Sequence, residues 1–279
     1  MGFSLGKKKY IRDMLHRFNM SSCNPVKNPI VPGTKLLKME KGVEADSTLF
    51  KQLVGSLMYL GATRPDIAHS VSLISRFMEH PKESHLLAAK RILRYLQGTQ
   101  SLGIFYKVGG NDELLAYTDS DYAGGLDDRK STSGYAFLLG GGVVSWMSKK
   151  QPVVSLSTTE AEFIATALCA CQCVWVRRVL EHLDHRQAGA TVVFCDNVST
   201  IKLSKNPILH GRSKHIDVRF HFLRDLCNDG VIELNYCDTR NQLVDIMTKP
   251  LKVENFQHLQ SALGMVEQSD VNCCKEHSV

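Results

Sequence analysis

Residues 114–124 read LLAYTDSDYAG, an apolar stretch that runs directly into an acidic one. The segment LLAYTD has the length and the aliphatic and aromatic content of a strand, and Asp119 follows its apolar part. Asp121 lies two residues further on, so both carboxylates point the same way if the strand continues. Aspartate also favours turns, which is the alternative for either residue. Asp119 is the preferred candidate for a functional carboxylate, and Asp121 is an accessory candidate.

Three more carboxylates occupy similar positions further along the chain. Glu162 lies in STTEAEF at the start of a helical pattern, Asp196 follows a short apolar run in VVFCDN, and Asp245 lies in NQLVDIMTKP. Carboxylates held close together repel one another, so the usual reason for gathering four is to hold divalent cations. Two Mg²⁺ ions in such a cluster are a standard means of cutting a phosphodiester. The pattern therefore predicts a metal-dependent nuclease.

Helix capping distinguishes Glu162 from its neighbour Glu160. The segment Ser157–Glu160 has the form of a capping box, in which Glu160 is expected to accept the backbone N–H of Ser157. Glu160 then has a structural task, and Glu162 is left for a metal.

The other two carboxylates have structural alternatives. Asp196 could cap the helix that follows it, but the presence of the other carboxylates favours a metal ligand. Thr239 and Gln242 form a second capping-box pattern, which places Asp245 about one turn inside the last helix. An aspartate at that point, among apolar neighbours, is unusual unless it faces a site.

The region from residue 111 onward predicts a mixed α/β sheet. The strand LLAYTD is followed by a hairpin, GYAFLLG and VVSWMS, and then by a long helix from about residue 158 to 183. Helix–strand alternation follows, so helices are expected on the faces of the sheet. The long helix is expected to bury one apolar stripe, formed by Ile164, Leu168, Cys171, Trp175 and Val179.

The region from 1 to 110 predicts mainly helices. Segments at about 5–18, after Asp46, after Pro65 and at 84–98 have helical periodicity and suitable caps. The expected domains are therefore 1–110 and 111–263. Residues 264–279 have little periodicity and are expected to form a disordered tail.

Charge is divided unevenly between these regions. Residues 1–110 hold 17 Lys and Arg against 7 Asp and Glu, a net +10, while residues 111–279 hold 17 against 21, a net −4, which together give the +6 of the chain. A basic half favours contact with a phosphate backbone, although solubility alone is an alternative. Two groups are candidate nucleic-acid contacts: Lys90, Arg91 and Arg94 on one predicted helix, and Arg129, Lys130 and Ser131 in RKSTSG. The alternatives are a solvated helix face and a plain loop.

Nine cysteines without a secretory signal indicate a reducing compartment, so we expect an intracellular protein, cytoplasmic or nuclear, that is not secreted. No apolar run approaches the roughly 20 residues of a membrane span, and no membrane partner is expected. The spacing of Cys169, Cys171 and Cys173 does not suit a zinc knuckle. His215 and His221 are given no catalytic role.

Several ordered motifs carry a family resemblance. The strings YTDSDYAG, RKSTSGY, SLSTTEAEF, CDN, SKHIDVRFHFLRD and NQLVDIMTKPL resemble the ribonuclease H domain of copia-type retrotransposon Pol polyproteins. The upstream strings LVGSLMYLGATRPDIAHSVSLISRFM and HLLAAKRILRYLQGT resemble the thumb and connection segment between the reverse transcriptase and the ribonuclease H of that family. The resemblance covers nearly the whole chain except the tail.

The resemblance implies a ribonuclease H-like fold, a mixed five-stranded sheet with flanking helices, that cleaves the RNA strand of RNA–DNA hybrids with two Mg²⁺ or Mn²⁺ ions. Matching the motifs position by position makes the metal-binding catalytic residues Asp119, Glu162, Asp196 and Asp245. We expect the first three to bracket one ion, and Asp119 with Asp245 to bracket the other. Two positions depart from the family pattern: Val244 replaces the usual Ala, and Arg240 replaces the usual acidic residue.

The polymerase motifs of Pol are missing from the sequence, so the resemblance is to a C-terminal fragment. The missing reverse transcriptase portion of Pol is then an expected partner. An inactive retroelement remnant that only binds nucleic acid or another Pol segment is the alternative function. A transposase of the same fold uses a different carboxylate arrangement and is disfavoured.

Overall fold

The structure is a computed structural model, and it describes residues 2–38, 42–109, 112–205 and 217–267. The helices are α1 Lys8–Arg17, α2 Ser47–Leu60, α3 Ala68–Ile74, α4 Glu83–Gln97, α5 Thr158–His182, α6 Val198–Lys205, α7 Asp217–Asn228, α8 Asp245–Thr248 and α9 Val253–Ala262. The strands are β1 Gly2–Leu5, β2 Leu102–Lys107, β3 Leu115–Ser120, β4 Thr132–Leu139, β5 Gly142–Lys150, β6 Thr191–Cys195, β7 Ile232–Tyr236 and β8 Met265–Glu267. Short 3-10 turns occupy Pro65–Ile67, Ser75–Phe77 and Thr239–Asn241.

The chain forms two compact units. Unit 1 comprises residues 1–108, 126–128 and 249–279, and unit 2 comprises residues 109–125 and 129–248. This division differs from the expected boundary at residue 263, because the segment after residue 248 packs with unit 1. Within that unit, for example, the Asn28 side chain donates to the Leu251 carbonyl at 3.1 Å. Contacts so distant in sequence leave no local signal for a boundary.

Unit 1 combines α1–α4 and α9 with an antiparallel sheet of order β1–β2–β8. The helices agree with the sequence pattern, and Asp46 caps α2 by accepting the N–H groups of Thr48 and Leu49. The small sheet was not predicted. Its third strand lies at 265–267, where a disordered tail was expected; the rest of that tail, residues 268–279, lies outside the described residues.

A fully buried ion pair lies in the core of unit 1. Arg64 donates twice to the Asp66 carboxylate, at 2.9 and 2.7 Å, and Tyr95 also donates its hydroxyl to Asp66. Gln260 of α9 donates to the same carboxylate at 3.0 Å. Because a buried charge needs its partners, this cluster ties α9 to the helices before β2.

Unit 2 contains the mixed five-stranded sheet expected from the sequence, in the order β5–β4–β3–β6–β7. The pairs β5–β4 and β4–β3 are antiparallel, while β3–β6 and β6–β7 are parallel. Strand β3 is therefore central and changes pairing direction between its two neighbours. The carboxyl ends of β3, β6 and β7 meet at one edge of the sheet, where ligands of α/β folds usually bind.

Helix α5 covers this sheet, but with a face other than the predicted stripe. Of that stripe only Ile164 is buried, whereas Trp175 is 58% exposed. The buried side carries mostly small residues, Ala161, Ala165, Ala167, Cys169, Ala170 and Cys173, beside Phe163, Ile164 and Val176. Small side chains let the helix approach the sheet closely, and hydrophobic periodicity alone does not distinguish two apolar faces.

Helix α5 is also long and apolar enough to cross a membrane by length and composition alone. This corrects the expectation that no segment reaches that length. About 56% of its most apolar window is buried within the protein, as is usual for the core helix of a soluble domain.

Helix α8 lies directly against β4, and a glycine makes this possible. Gly134 pairs with Asp119 across the strands. A Cβ on Gly134 would lie 2.6 Å from Val244 Cγ1, 3.0 Å from Thr248 Cγ2 and 3.2 Å from Met247 Cβ. The position therefore accepts no side chain unless α8 moves.

The end of unit 2 also differs from the prediction that Asp245 lies about one turn inside the last helix. Asp245 is the first residue of α8, which ends at Thr248, and Pro250 separates it from α9 in unit 1. Gln242 forms no capping box; its side chain donates to the Thr118 carbonyl of β3 at 2.9 Å. A bond across the fold replaces the local one.

We predict that Gly134→Ala destabilises unit 2 by about 1–3 kcal/mol, the usual cost of overpacking a filled interior. Adding Val244→Ala should recover part of this loss, because it removes the atom nearest to the new methyl group. Urea unfolding followed by tryptophan fluorescence measures the effect, since both tryptophans, Trp146 and Trp175, belong to unit 2.

Gly189→Ala is the matched control for this experiment. Gly189 also lies in unit 2, and a Cβ there would have nothing within 4 Å. If Gly134→Ala proves as stable as Gly189→Ala, the close approach of α8 to β4 is contradicted.

Candidate active site

The four predicted carboxylates lie at one edge of the unit 2 sheet. Asp119 is at the end of β3, Asp196 directly follows β6, Glu162 lies on the second turn of α5, and Asp245 begins α8. Burial, followed by the negative charges of Asp196, Asp119 and Asp245, raises the pKa of the Cys237 thiol to about 12, so all three aspartates act on this one thiol. The charges of Asp119 and Asp196 also act on Glu162. The structure therefore brings the four groups together.

Glu162 has the most unfavourable environment of the set. Its side chain is 6% exposed, and its Oε1 accepts the Ser120 N–H at 3.2 Å. Its Oε2 is buried and accepts no hydrogen bond within the described part of the chain, and the protonated side chain hydrogen-bonds to the Asp119 carboxylate. Burial, followed by the charges of Asp119 and Asp196, raises the pKa of Glu162 to about 10. Glu162 therefore holds a proton at neutral pH unless a cation compensates the charge.

Asp119 is held from the side of α8. It is 2% exposed and accepts the hydroxyl of Thr248. Gln242, which is fully buried, fixes the segment before α8 to β3 through the Thr118 carbonyl. Thr248 and Gln242 therefore locate both ends of α8 relative to the strand that carries Asp119.

Asp196 is half-buried, and Thr239 Oγ1 lies 3.5 Å from its Oδ2. The capping alternative for this residue does not hold, because the side chain of Asn197 caps α6 by accepting the Thr200 N–H at 2.9 Å. The charge of Asp196 acts on both Glu162 and the Cys237 thiol.

The two competing carboxylates have structural tasks. Asp121 accepts the backbone N–H of Thr132 at the start of β4. Ser157 caps α5 by accepting the Glu160 N–H at 3.1 Å, as predicted, but Glu160 accepts the N–H of Leu156 at 2.8 Å rather than that of Ser157. Glu160 therefore still has a structural role, with a partner one residue before the predicted one, and Glu162 remains the candidate metal ligand.

Two kinds of residue at the site escaped the sequence analysis. Gln151 is 2% exposed and donates to Ser133 Oγ and to the Ala161 carbonyl, both at 2.9 Å, and to Ser120 Oγ at 3.2 Å. It thereby joins β3, β4 and α5 next to Glu162. A glutamine after an edge strand gives no periodic signal that would reveal this. The thiols of Cys195 and Cys237 also adjoin the carboxylates. The position of Cys195 directly before Asp196 is a local signal for the first thiol, whereas the sequence around Cys237 offers none.

The predicted nucleic-acid contacts differ in their exposure to solvent. In unit 2, Ser131 is 1% exposed and accepts the Ala123 N–H at 3.1 Å, so burial excludes the predicted contact with phosphate. Arg129 is exposed and Lys130 is half-buried. In unit 1, Lys90 is half-buried.

Arg91 and Arg94 of α4 bind the segment between α1 and α2. Arg91 donates to Asn28 Oδ1 at 2.6 Å, and Arg94 donates to the Asn24 carbonyl at 2.8 Å. Each arginine keeps further N–H groups, so these bonds give the helix a structural role without excluding a phosphate. Among the histidines, His221 is exposed and contacts Arg224, and His215 lies outside the described residues.

The donor set fits a divalent cation. Carboxylate oxygens are the ligands that Mg²⁺ and Mn²⁺ prefer, and the buried Glu162 Oε2 accepts no hydrogen bond from the described residues. One ligand atom from each of Glu162, Cys195 and Asp196 lies within 4.8 Å of the others. The arrangement can therefore hold positive charge at the carboxyl end of β6, beside α5.

Comparisons with known proteins agree with the motifs. No protein-family profile matches the chain. The chain is 42% identical over 264 residues to the retrovirus-related Pol polyprotein from transposon RE1 of Arabidopsis thaliana, and 43% identical over 270 residues to that from transposon TNT 1-94 of Nicotiana tabacum. These matches cover 95% and 94% of the chain but only 18% and 20% of the two polyproteins. The chain thus spans about a fifth of the length of these relatives.

A shorter relative is matched over most of its own length. The uncharacterized mitochondrial protein AtMg00810 of Arabidopsis thaliana is 35% identical over 178 residues, which are 62% of this chain and 72% of that protein. Among solved structures, the N-terminal RNase H domain of rv2228c from Mycobacterium tuberculosis overlaps 55% of the chain with 9% identity and a TM-score of 0.38. Because this structural overlap is weak, the ribonuclease H-like fold is assigned from the strand order of unit 2. By sequence, the chain belongs to the copia-type family of retrovirus-related Pol polyproteins.

Proposed function

We propose that unit 2 is a divalent-metal-dependent endonuclease that cleaves the RNA strand of RNA–DNA hybrids. The observation that carries this proposal is the burial of Glu162 beside the charges of Asp119 and Asp196, which raises its pKa to about 10. Buried like charges are costly, and a structure that keeps them together usually compensates them with a bound cation. The family and the fold support the same reaction class.

Four side chains would hold the metal. Asp119, Glu162 and Asp196 would bind one Mg²⁺ or Mn²⁺ ion, and Asp119 with Asp245 would bind the second. When bound, two such ions supply positive charge that activates water and stabilises the leaving oxygen of a phosphodiester.

The contribution of the protein is to position these ligands. The Ser120 N–H orients Glu162 and the Thr248 hydroxyl orients Asp119, so neither carboxylate has to be arranged when the ions arrive. Because the strands are held by backbone pairing, the spacing between Asp119 and Asp196 is set by the sheet itself. Hybrid recognition would then rest on groove shape and 2′-hydroxyl contacts rather than on base identity.

We also propose that the reverse transcriptase portion of Pol is the partner of unit 1. The relatives that match nearly the whole chain are about five times longer, so in them the matching segment is joined to further Pol sequence. The exposed apolar side chains of α2 in unit 1, Met58 and Tyr59, at 55% and 58% exposure, suit such a contact.

We predict that Asp196→Asn lowers Mg²⁺-dependent cleavage of an RNA–DNA hybrid on the order of 100-fold, as for other losses of one electrostatic group from an active site. Cleavage is measured with a labelled hybrid, beside the same sequence as duplex DNA and as duplex RNA. Asp184→Asn is the matched control, since Asp184 is exposed and has φ +60, which asparagine tolerates.

Two outcomes would contradict the proposal. Equal cleavage of the hybrid by wild type and Asp196→Asn would show that the Asp196 carboxylate takes no part in the reaction. Salt-dependent binding of the hybrid by wild type, without cutting in any divalent metal, would instead select the inactive-remnant alternative.

A second prediction follows from the proton on Glu162. Its pKa is raised from 4.5 to about 10, so between these values the native state holds a proton that the unfolded chain has lost. In metal-free buffer this contribution to stability is present at low pH and is lost as the pH rises, by up to about 1.4 kcal/mol per pH unit. Glu162→Gln should lack it, and Mg²⁺ should stabilise wild type more than this variant at alkaline pH.

Urea unfolding followed by tryptophan fluorescence, from about pH 6 to about pH 9 with a chelator, measures the difference between wild type and Glu162→Gln. Glu233→Gln, at an exposed position of β7, is the matched control. Parallel pH profiles for wild type and Glu162→Gln would show that Glu162 is not protonated in the metal-free protein.

A further inference from the structure

The carboxylate cluster of unit 2 contains a sulfur donor that the proposed nuclease chemistry does not use. Cys195, the last residue of β6, is completely buried and directly precedes Asp196. Its Sγ lies within 4.8 Å of a carboxylate oxygen of both Glu162 and Asp196, and those two oxygens lie within the same distance of each other. Ligand atoms of one four-coordinate ion are separated by roughly 3.5 Å, so small side-chain rotations would bring all three onto a single ion.

Burial makes this group more than a chance grouping of acidic residues. Glu162 is 6% exposed, and its Oε2 accepts no hydrogen bond within the described residues. The thiol itself is weakly engaged, with the Asn197 N–H 3.4 Å from Sγ. One carboxyl oxygen from each of Glu162 and Asp196 and the sulfur of Cys195 thus surround one position.

We propose that Cys195, Glu162 and Asp196 form a binding site for a thiophilic divalent cation, Zn²⁺ or Cd²⁺. Hard ions such as Mg²⁺ select oxygen ligands, whereas Zn²⁺ and Cd²⁺ bind well to sulfur beside carboxylates. Three protein ligands leave one position of a tetrahedral ion open. The site shares two carboxylates with the proposed magnesium site, so the two classes of ion exclude each other there. This exclusion rests on the proposed function; the site itself does not.

Cadmium titration tests the site directly. The Cys195 thiol releases its proton to solvent when Cd²⁺ binds, and the thiolate-to-metal charge-transfer absorption in the ultraviolet reports the Cd–S bond without any assay of activity. We expect Cys195→Ser and Glu162→Gln each to weaken the Cd²⁺ binding of wild type at least about tenfold, a change at the low end of what disturbing a metal site costs. Glu162→Gln is decisive because it keeps all nine cysteines of the chain.

Cys171→Ser is the matched control, because Cys171 is exposed on α5 and should leave the titration unchanged. Tryptophan fluorescence checks that each variant is folded. Wild-type affinity for Cd²⁺ in either Cys195→Ser or Glu162→Gln would overturn the site, since the cation would then be held by other thiols or by other carboxylates.

A competition experiment separates this inference from the proposed function. Excess Mg²⁺ should weaken the apparent affinity of wild type for Cd²⁺, and the absence of competition would contradict a shared site. If both variants lose Cd²⁺ binding and the wild type does not cleave a hybrid, the cation site is supported and only the nuclease is contradicted. If the wild type cleaves the hybrid but the variants bind Cd²⁺ as tightly as wild type, the nuclease is supported and the cation site is contradicted.

Discussion

The mutual repulsion of carboxylates at the edge of the unit 2 sheet is the constraint on which the site depends. Glu162 is buried beside Asp119 and Asp196, and its pKa is raised to about 10 because burial, and then the charges of these two aspartates, disfavour its charged form. Such a group destabilises the metal-free fold whenever it ionises. A bound cation would offset this cost.

The strand topology produces the cluster with little help from loops. Asp119 leaves the central strand at the same edge as Asp196, because β3 and β6 are parallel neighbours. Helix α5 crosses above that edge and supplies Glu162, whose oxygen accepts the Ser120 N–H. Helix α8 contributes Asp245 and approaches closely because Gly134 opposite Asp119 has no side chain. Each ligand thus comes from a different element held by backbone pairing or close packing.

The sequence located four carboxylates that the structure places at one edge of the sheet, and the expectations that differ from the structure do so for physical reasons. The carboxylates were found because each follows an apolar run or a helix start, which are local signals. Side chains that act across the fold left no such signal: Gln242 appeared to cap a helix and instead bonds to β3, and Ser131 appeared able to hold phosphate and instead is buried. Trp175 was predicted to be buried because α5 has two apolar faces, and only packing selects the one with small residues.

The direct test of the central claim is to count divalent ions. Titration of the metal-free protein with Mn²⁺, followed by calorimetry or by the electron paramagnetic resonance of the unbound ion, gives the stoichiometry and the affinity. The account predicts two ions per chain in the wild type and weakening of both in Asp119→Asn, because Asp119 would be the ligand that the ions share. Unchanged Mn²⁺ binding in Asp119→Asn would contradict it.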